Sequence, residues 1–308
     1  MMETTSPHIP VMLKEVVSNL VSNTSGIYLD GTIGFAGHSH EILNQLTSAG
    51  QLIGLDSDKE ALEFSQKRLS HFNNFTLFHS NFTNFDIVLE NENISKIDGM
   101  LFDLGVSSYD IDTAKRGFSF RNNGPLDMRM DQSQGITAKE FIDSSDEIEI
   151  GKVIRDYGEE RFYKKISRSI VKYSAEGKME TTADLANSIS AVTGHHRKSI
   201  TRVFQAIRIH INDELGALEG MLEKSTSHLV KGGRIAVITF HSLEDRIVKK
   251  FFQRQSIKCT CPREFPVCIC NETPSLKILN KSVIKASSIE IKSNRRSKSA
   301  KLRIAERV

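Results

Sequence analysis

The stretch YLDGTIGFAGHS, residues 28–39, decides how this chain is read. An apolar run closes on an acid, Asp30. Gly31, Gly34 and Gly37 follow, and a helical pattern begins, with Ile42, Leu43 and Leu46 at helical spacing. Strand, glycine turn and helix in that order make the first βα unit of a ligand-binding parallel sheet. One reading of the glycines is conformational only, a tight strand-to-helix turn. A second is a dinucleotide site, but that fingerprint is GxGxxG, and the first pair here is one residue too wide; Asp30 would also oppose a pyrophosphate. A third is S-adenosylmethionine, which has no phosphate and carries an ammonium and a sulfonium. An acid ending the first strand suits that cationic end, and the start of the helix at 37–38 suits the methionyl carboxylate.

Outward from this turn the strand and helix patterns alternate. QLIGLD (51–56) is a second strand closed by Asp56, followed by the helical KEALEFSQKRL (59–69). FTLFHSNF (75–82) and IDGMLFDLG (97–105) supply a third and a fourth strand, the latter closed by Asp103. This order predicts an α/β fold with a mostly parallel, doubly wound sheet. Asp56, about 20 residues past the turn, is placed for ribose hydroxyls; Phe82 is placed to pack on adenine, and Asp103 to meet the substrate. Acids after the first, second and fourth strands favour methyl transfer over the other readings.

From about 111 to 200 strand signals disappear. Thr137 to Glu140 forms a capping box, Phe162, Ile166 and Ile170 repeat at i, i+4, i+8, and Leu185, Ile189 and Val192 at i, i+4, i+7. These patterns predict an all-helical insertion. Strands resume at RIAVITFHS (234–242), followed by a helix marked by Leu243, Ile247 and Phe251. LKILNK and IKA are short β-like pieces. In the end SAKLRIAE, Leu302 and Ile304 should point inward and Arg303 outward. The expected organisation is a discontinuous methyltransferase domain, 1–110 and 201–308, interrupted by a helical substrate-recognition domain, 111–200. No Walker A loop, HExxH or GxSxG motif occurs, which argues against nucleotide hydrolysis, zincin and serine-esterase chemistry.

Of the chain's 308 residues, 39% are hydrophobic and 26% charged, with a net charge of +3, as in a soluble globular protein. No apolar run approaches the roughly 20 residues that span a bilayer, and the N-terminus lacks a signal-peptide pattern, so a cytoplasmic location without membrane association is expected. Residues 292–307 carry seven Lys or Arg and one Glu, which suits either a nucleic acid or a solvated tail. All four cysteines, Cys259, Cys261, Cys268 and Cys270, lie in CTCPREFPVCIC. Reduced or redox-variable thiols fit a reducing compartment, and a zinc site is the alternative, although CxC twice is not the usual knuckle.

Several long motifs together resemble the bacterial small-subunit ribosomal RNA methyltransferase H family nearly end to end: HIPVMLKEV (8–16), LDGTIGFAGHS, FDLGVSS (102–108), RGFSF (116–120), PLDMRMD (125–131), VFQAIRIHINDEL (203–215), ITFHSLEDRIVKKFF (238–252) and NRRSKSAKLRIAER (294–307). The resemblance implies a class I S-adenosylmethionine-dependent methyltransferase (Rossmann-like) with an all-helical insertion after the fourth strand. It implies N4-methylation of a cytosine in the decoding region of 16S rRNA within the small subunit, and it allows a homodimer. Carried over by position, the cofactor contacts are Ala36, Gly37, His38, Asp56, Phe82, Asp103 and Asp110. Ala36 stands where the family commonly has glycine, which is tolerable if that residue avoids positive φ. Asp110 stands where Gln is frequent.

Cytosine's exocyclic amine is a poor nucleophile, its lone pair being conjugated with the ring. Asp103, or a carbonyl of the Leu104–Gly105 turn, is the expected acceptor that orients it, with the alternative that Asp103 serves the cofactor alone. Ser107, Ser108 and His241 are expected to meet the base, His241 alternatively acting as a cap. Arg295 and Arg296 are expected on RNA phosphates. The competing functions are an assembly scaffold with incidental methylation, and a methyltransferase of DNA cytosine or of protein.

Overall fold

The computed structural model describes residues 9–105, 111–257, 261, 270 and 273–308. Chain packing divides it into two compact units, Met1–Gly105 with Gly216–Val308, and Val106–Leu215.

The first unit is a sheet of eight strands: β1 (Ile27–Asp30), β2 (Gln51–Asp56), β3 (Phe75–His79), β4 (Ile97–Asp103), β5 (Leu229–Thr239), β6 (Leu276–Ile278), β7 (Ile284–Lys285) and β8 (Lys301–Arg307). Their order is β3-β2-β1-β4-β5-β8-β6, with β7 also paired to β8. β1 to β5 run parallel, and β8 runs antiparallel to β5. Chain order reverses between β1 and β4, and that switch point is where open α/β sheets form their ligand crevice. Asp30 and Asp103 end the two strands that flank it.

Parallel strands buried on both faces need near-continuous apolar sequence, and side-chain alternation sends neighbours to opposite cores. Leu29, Ile53, Met100, Phe102, Ile235 and Val237 pack with α4 (Phe85–Asn91) and with helices that follow the insertion, including α11 (Ser242–Gln255). Tyr28, Leu52, Leu101, Ala236 and Ile238 pack with α1 (Leu13–Leu20) and α2 (Gly37–Gln45) on the other face. Leu302 and Ile304 are fully buried in that second core, as the alternation in the tail predicts. Arg303 points away from them but is not solvated; with Lys301 it is held by Asp245, at 2.6 and 2.9 Å. The strand expected over 234–242 begins earlier and stops at Thr239, with a register shift in its pairing to β4 near Gly232–Gly233.

In the second unit, α5 (Ala138–Ser144), α6 (Glu147–Gly158), α7 (Tyr163–Ala175), α8 (Thr182–Thr193) and α9 (Arg197–Ile211) surround their own core. The Thr137–Glu140 capping box is formed as the sequence predicts. The boundary read at residue 200 falls inside α9, whose Ile200, Val203, Phe204 and Ile207 belong to this core, so the unit extends to Leu215. Ile166 and Ile170 are buried, but Phe162 is 53% exposed. It precedes α7 as the N-cap, and the helical repeat does not include it. Among the described residues no helix is long and apolar enough to cross a membrane.

Candidate functional site

The turn after β1 is pinned from both neighbouring strands. Gly31 N–H donates to the Leu101 carbonyl, and Ile33 N–H to that of Leu55, each at 2.9 Å. Asp56 Oδ2 accepts from Gly34 N–H at 2.8 Å, and its Oδ1 from Asp58 N–H at 2.9 Å. The Asp103 amide donates to Thr32 Oγ1 at 2.7 Å. Strand ends and turn are therefore one hydrogen-bonded piece.

The glycines serve different needs. A Cβ on Gly31 would lie 2.4 Å from the Phe102 ring, and one on Gly37 would lie 2.9 Å from Pro10, so internal packing requires both. Gly34 has a φ of +49° and open space around it, and it is the glycine that a ligand can approach. Ala36, the residue before α2, is left-handed at φ 56°, ψ 33° and gives that helix no side-chain cap. The condition set by the sequence, that Ala36 avoid positive φ, is not met. The strain of a left-handed Ala, about 1–2 kcal/mol, is partly offset by full burial of its methyl, worth about 0.8 kcal/mol.

Around the ends of β1, β4 and β5 lie Asp30, Asp103 and Glu244. Asp30 is 1% exposed and accepts from Ser39 Oγ at 2.6 Å and Thr32 N–H at 3.2 Å. Burial raises its pKa to about 6, against those two hydrogen bonds and with the Asp56 charge adding to the rise. Asp103 is also pushed well above the usual carboxylate range, by burial first and then by the charges of Asp30 and Glu244. Its Oδ1 is buried without a hydrogen-bond partner. Its Oδ2 faces His38 Nδ1 at 3.8 Å, beyond hydrogen-bond length, while His38 Nε2 lies 2.9 Å from the Val11 carbonyl, to which it can only donate. Clustered buried carboxylates with raised pKa values make the ends of β1 and β4 a candidate functional site.

Asp103 is thus the acid of this cluster with an unpartnered oxygen, whereas Asp30, which the sequence places against the cofactor's cationic end, is held by Ser39 and Thr32. Phe82 packs beside the turn, its ring edge-on to Phe102 at 6.1 Å and its Cβ 3.4 Å from where a Gly31 Cβ would stand. His241 caps α11: its Nδ1 accepts from Glu244 N–H at 3.4 Å, and Glu244 Oε2 accepts from the amides of Phe240 and His241. The cap, one of the two roles read for His241, is formed. Sequence reasoning missed Glu244, whose signal was its three-residue spacing from His241. It also missed Thr32 and Ser39, small hydroxyls with no signal of their own.

Ser107, Ser108, Asp110, Cys259 and Cys268 lie outside the described residues. Cys261 and Cys270 are half-buried. Arg295 is exposed and Arg296 half-buried.

A parallel sheet in this strand order, with a glycine turn and acids at its switch point, defines a class I methyltransferase fold. The chain belongs to the MraW methylase family, whose model matches residues 5–308. It is 46% identical over 304 residues to the ribosomal RNA small subunit methyltransferase H of Caldicellulosiruptor saccharolyticus, covering 98% of this chain and 99% of that one. It is also 46% identical over 311 residues to the methyltransferase of the same name from Heliobacterium modesticaldum, covering 98% of each. Among solved structures, an rRNA methylase from Streptococcus thermophilus aligns with a TM-score of 0.41 at 10% identity, over 96% of this chain and 93% of that chain; this distant likeness adds nothing to the assignment.

Proposed function

We propose that this protein uses S-adenosylmethionine to methylate N4 of a cytosine in the 16S rRNA of the small ribosomal subunit. The observation that carries the proposal is the Asp103 carboxylate: a buried, partnerless Oδ1 beside two further acids at the switch point. Such an atom is costly unless a donor reaches it, and the charge of the site favours a cation. The ammonium of S-adenosylmethionine fits both needs, and a phosphate-bearing dinucleotide fits neither.

When bound, the cofactor supplies an electrophilic methyl group on a sulfonium. Asp103 would hold the cationic end, where the positive charge opposes the burial that raises its pKa. Asp56, which braces Gly34, would accept from the ribose hydroxyls. Phe82 forms an apolar wall for the adenine. Asp103 would then serve the cofactor, leaving the Leu104 and Gly105 carbonyls to orient the cytosine amine. As N4 takes the methyl group and the sulfonium is left as a neutral thioether, the N4 proton would pass to water. Fixing both reactants removes much of the entropic barrier, and the base must leave its stack to enter. The names of the relatives support the RNA substrate, and the separate core of the helical unit supports its role in recognising that RNA.

Labelled methyl transfer to small subunits, free 16S RNA and DNA, followed by nucleoside analysis, tests this. Label in N4-methylcytidine of the small-subunit RNA is expected. Label confined to DNA or protein, or to another nucleoside, would overturn it.

A further inference from the structure

Phe162 is a large aromatic side chain left 53% exposed between two helices of a well-packed unit, just ahead of a helix whose Ile166 and Ile170 are fully buried. The corner that presents it is held firmly. Glu159 turns the chain with φ +47°. Glu160, 4% exposed, accepts from Phe162 N–H at 3.1 Å and lies 3.5 Å from Arg202 Nη1. A Cβ on Gly158 would stand 2.9 Å from the Arg202 carbonyl, so the end of α6 rests closely on α9. Arg155 and Lys164 lie over the Tyr163 ring at 5.9 and 6.0 Å.

The exposed ring also has a cationic surround. Arg161, Lys164 and Lys165 are exposed. Their basic neighbours Arg155, Arg168 and Arg202 each lie beside a carboxylate, of Asp156, Glu147 and Glu160; among the described residues, Arg161, Lys164 and Lys165 have none within salt-bridge distance. An exposed ring offers a face for a flat apolar partner, and three cations not paired to carboxylates offer charge to anions. An unpaired nucleotide supplies both, through its base and its phosphates.

We infer that the Arg161–Lys165 corner is a docking point for single-stranded RNA, with a base stacked on Phe162 and the flanking phosphates on Arg161, Lys164 and Lys165. This rests on the RNA methyltransferase reading above and names part of its substrate grip. A duplex cannot offer a free base face, so preference for unpaired RNA follows.

The test uses the full chain, a labelled single-stranded RNA of about twelve nucleotides, and small ribosomal subunits lacking the methyl group. Phe162→Ala should weaken oligonucleotide binding about 5- to 100-fold and raise the KM for small subunits, with kcat and cofactor affinity retained. Phe162→Tyr, which keeps the ring, should restore both. The combined Arg161→Gln, Lys164→Gln, Lys165→Gln variant should flatten the salt dependence of RNA binding by about 2 in log–log slope, at roughly 0.7 per phosphate. If Phe162→Ala, with an unchanged thermal melt, binds RNA and uses small subunits as the parent does, the docking point is not there. Failure of the underlying function would show instead in the parent protein, as absence of RNA methylation.

Discussion

The Asp103 amide donates to Thr32 Oγ1 at 2.7 Å, so the end of β4 is fastened to the turn that follows β1. The acid with the open oxygen and the turn beside it therefore cannot shift independently. Thr32→Val keeps the side-chain shape but leaves the amide without its acceptor, a loss of about 1–3 kcal/mol for a buried donor. Thermal unfolding should show that loss, and calorimetry should show weaker S-adenosylmethionine binding. Thr32→Ser, which retains the oxygen, should restore most of both. If the valine variant matches the parent in stability and affinity, the fastening has no role in the site.

Asp30 gives the fold an unusual dependence on pH. Its pKa is raised from 3.8 to about 6, chiefly by burial. Between those values the folded chain holds a proton that the unfolded chain has released. This contribution to stability is full below the lower value, declines as pH rises through the window, and is lost above the upper one. Asp103, raised for the same first cause, acts in the same direction. Asp30→Asn is neutral at every pH and should be more stable than the parent at pH 8, with the gain shrinking towards pH 4. At about 1.4 kcal/mol per pH unit, the gain is capped at roughly 3 kcal/mol. Melting curves across this range check it, and an asparagine variant less stable than the parent at pH 8 would contradict the burial argument.

Asp56 has two tasks, and substitutions should separate them. Its carboxylate accepts the Gly34 and Asp58 amides, and under the proposed function it also accepts from the ribose hydroxyls. Asp56→Ala removes every acceptor, so stability and cofactor affinity should both fall. Asp56→Asn keeps one acceptor oxygen and should lose less stability. Its cofactor affinity should still drop, by about 1.5–3 kcal/mol for a charge-assisted bond. Calorimetry and thermal melts on both variants test this; unchanged affinity in a folded alanine variant would remove Asp56 from the cofactor site.

How much of this is legible in the sequence depends on the kind of signal. The sheet is legible because buried parallel strands must be apolar along their length, and Asp30, Asp56 and Asp103 stand out by closing such runs. The roles within the site are not. Asp30 and Asp103 look alike in sequence, and only packing shows that Ser39 and Thr32 bond the first while the second keeps an unpartnered oxygen. The backbone of Ala36 escapes a sequence reading because its φ is imposed by the turn between Gly34 and α2, and no side-chain pattern reports that. The exposure of Phe162 escapes it because the apolar spacing continues past the start of the helix at Tyr163 onto the N-cap residue.

The basic tail shows the same limit and yields the last prediction. The sequence sets Arg303 on a strand and Arg295 before it, but does not show which of the tail cations meet a carboxylate. In the structure Lys301 and Arg303 lie on β8, both bound to Asp245 in α11, whose carboxyl their hydrogen bonds hold below its ordinary range against the opposing effect of burial. Arg295 and Lys298 are exposed. Arg303→Gln should therefore lower stability, by about 1 kcal/mol for a half-screened charge pair, without changing how RNA affinity responds to salt. Arg295→Gln combined with Lys298→Gln should leave stability unchanged and reduce the salt slope by about 0.7 for each phosphate that is no longer neutralised. Filter binding to small-subunit RNA at several salt concentrations, beside thermal melts, separates the two. Should the double variant keep the parent's slope, these tail cations face solvent and the RNA is held elsewhere on the protein.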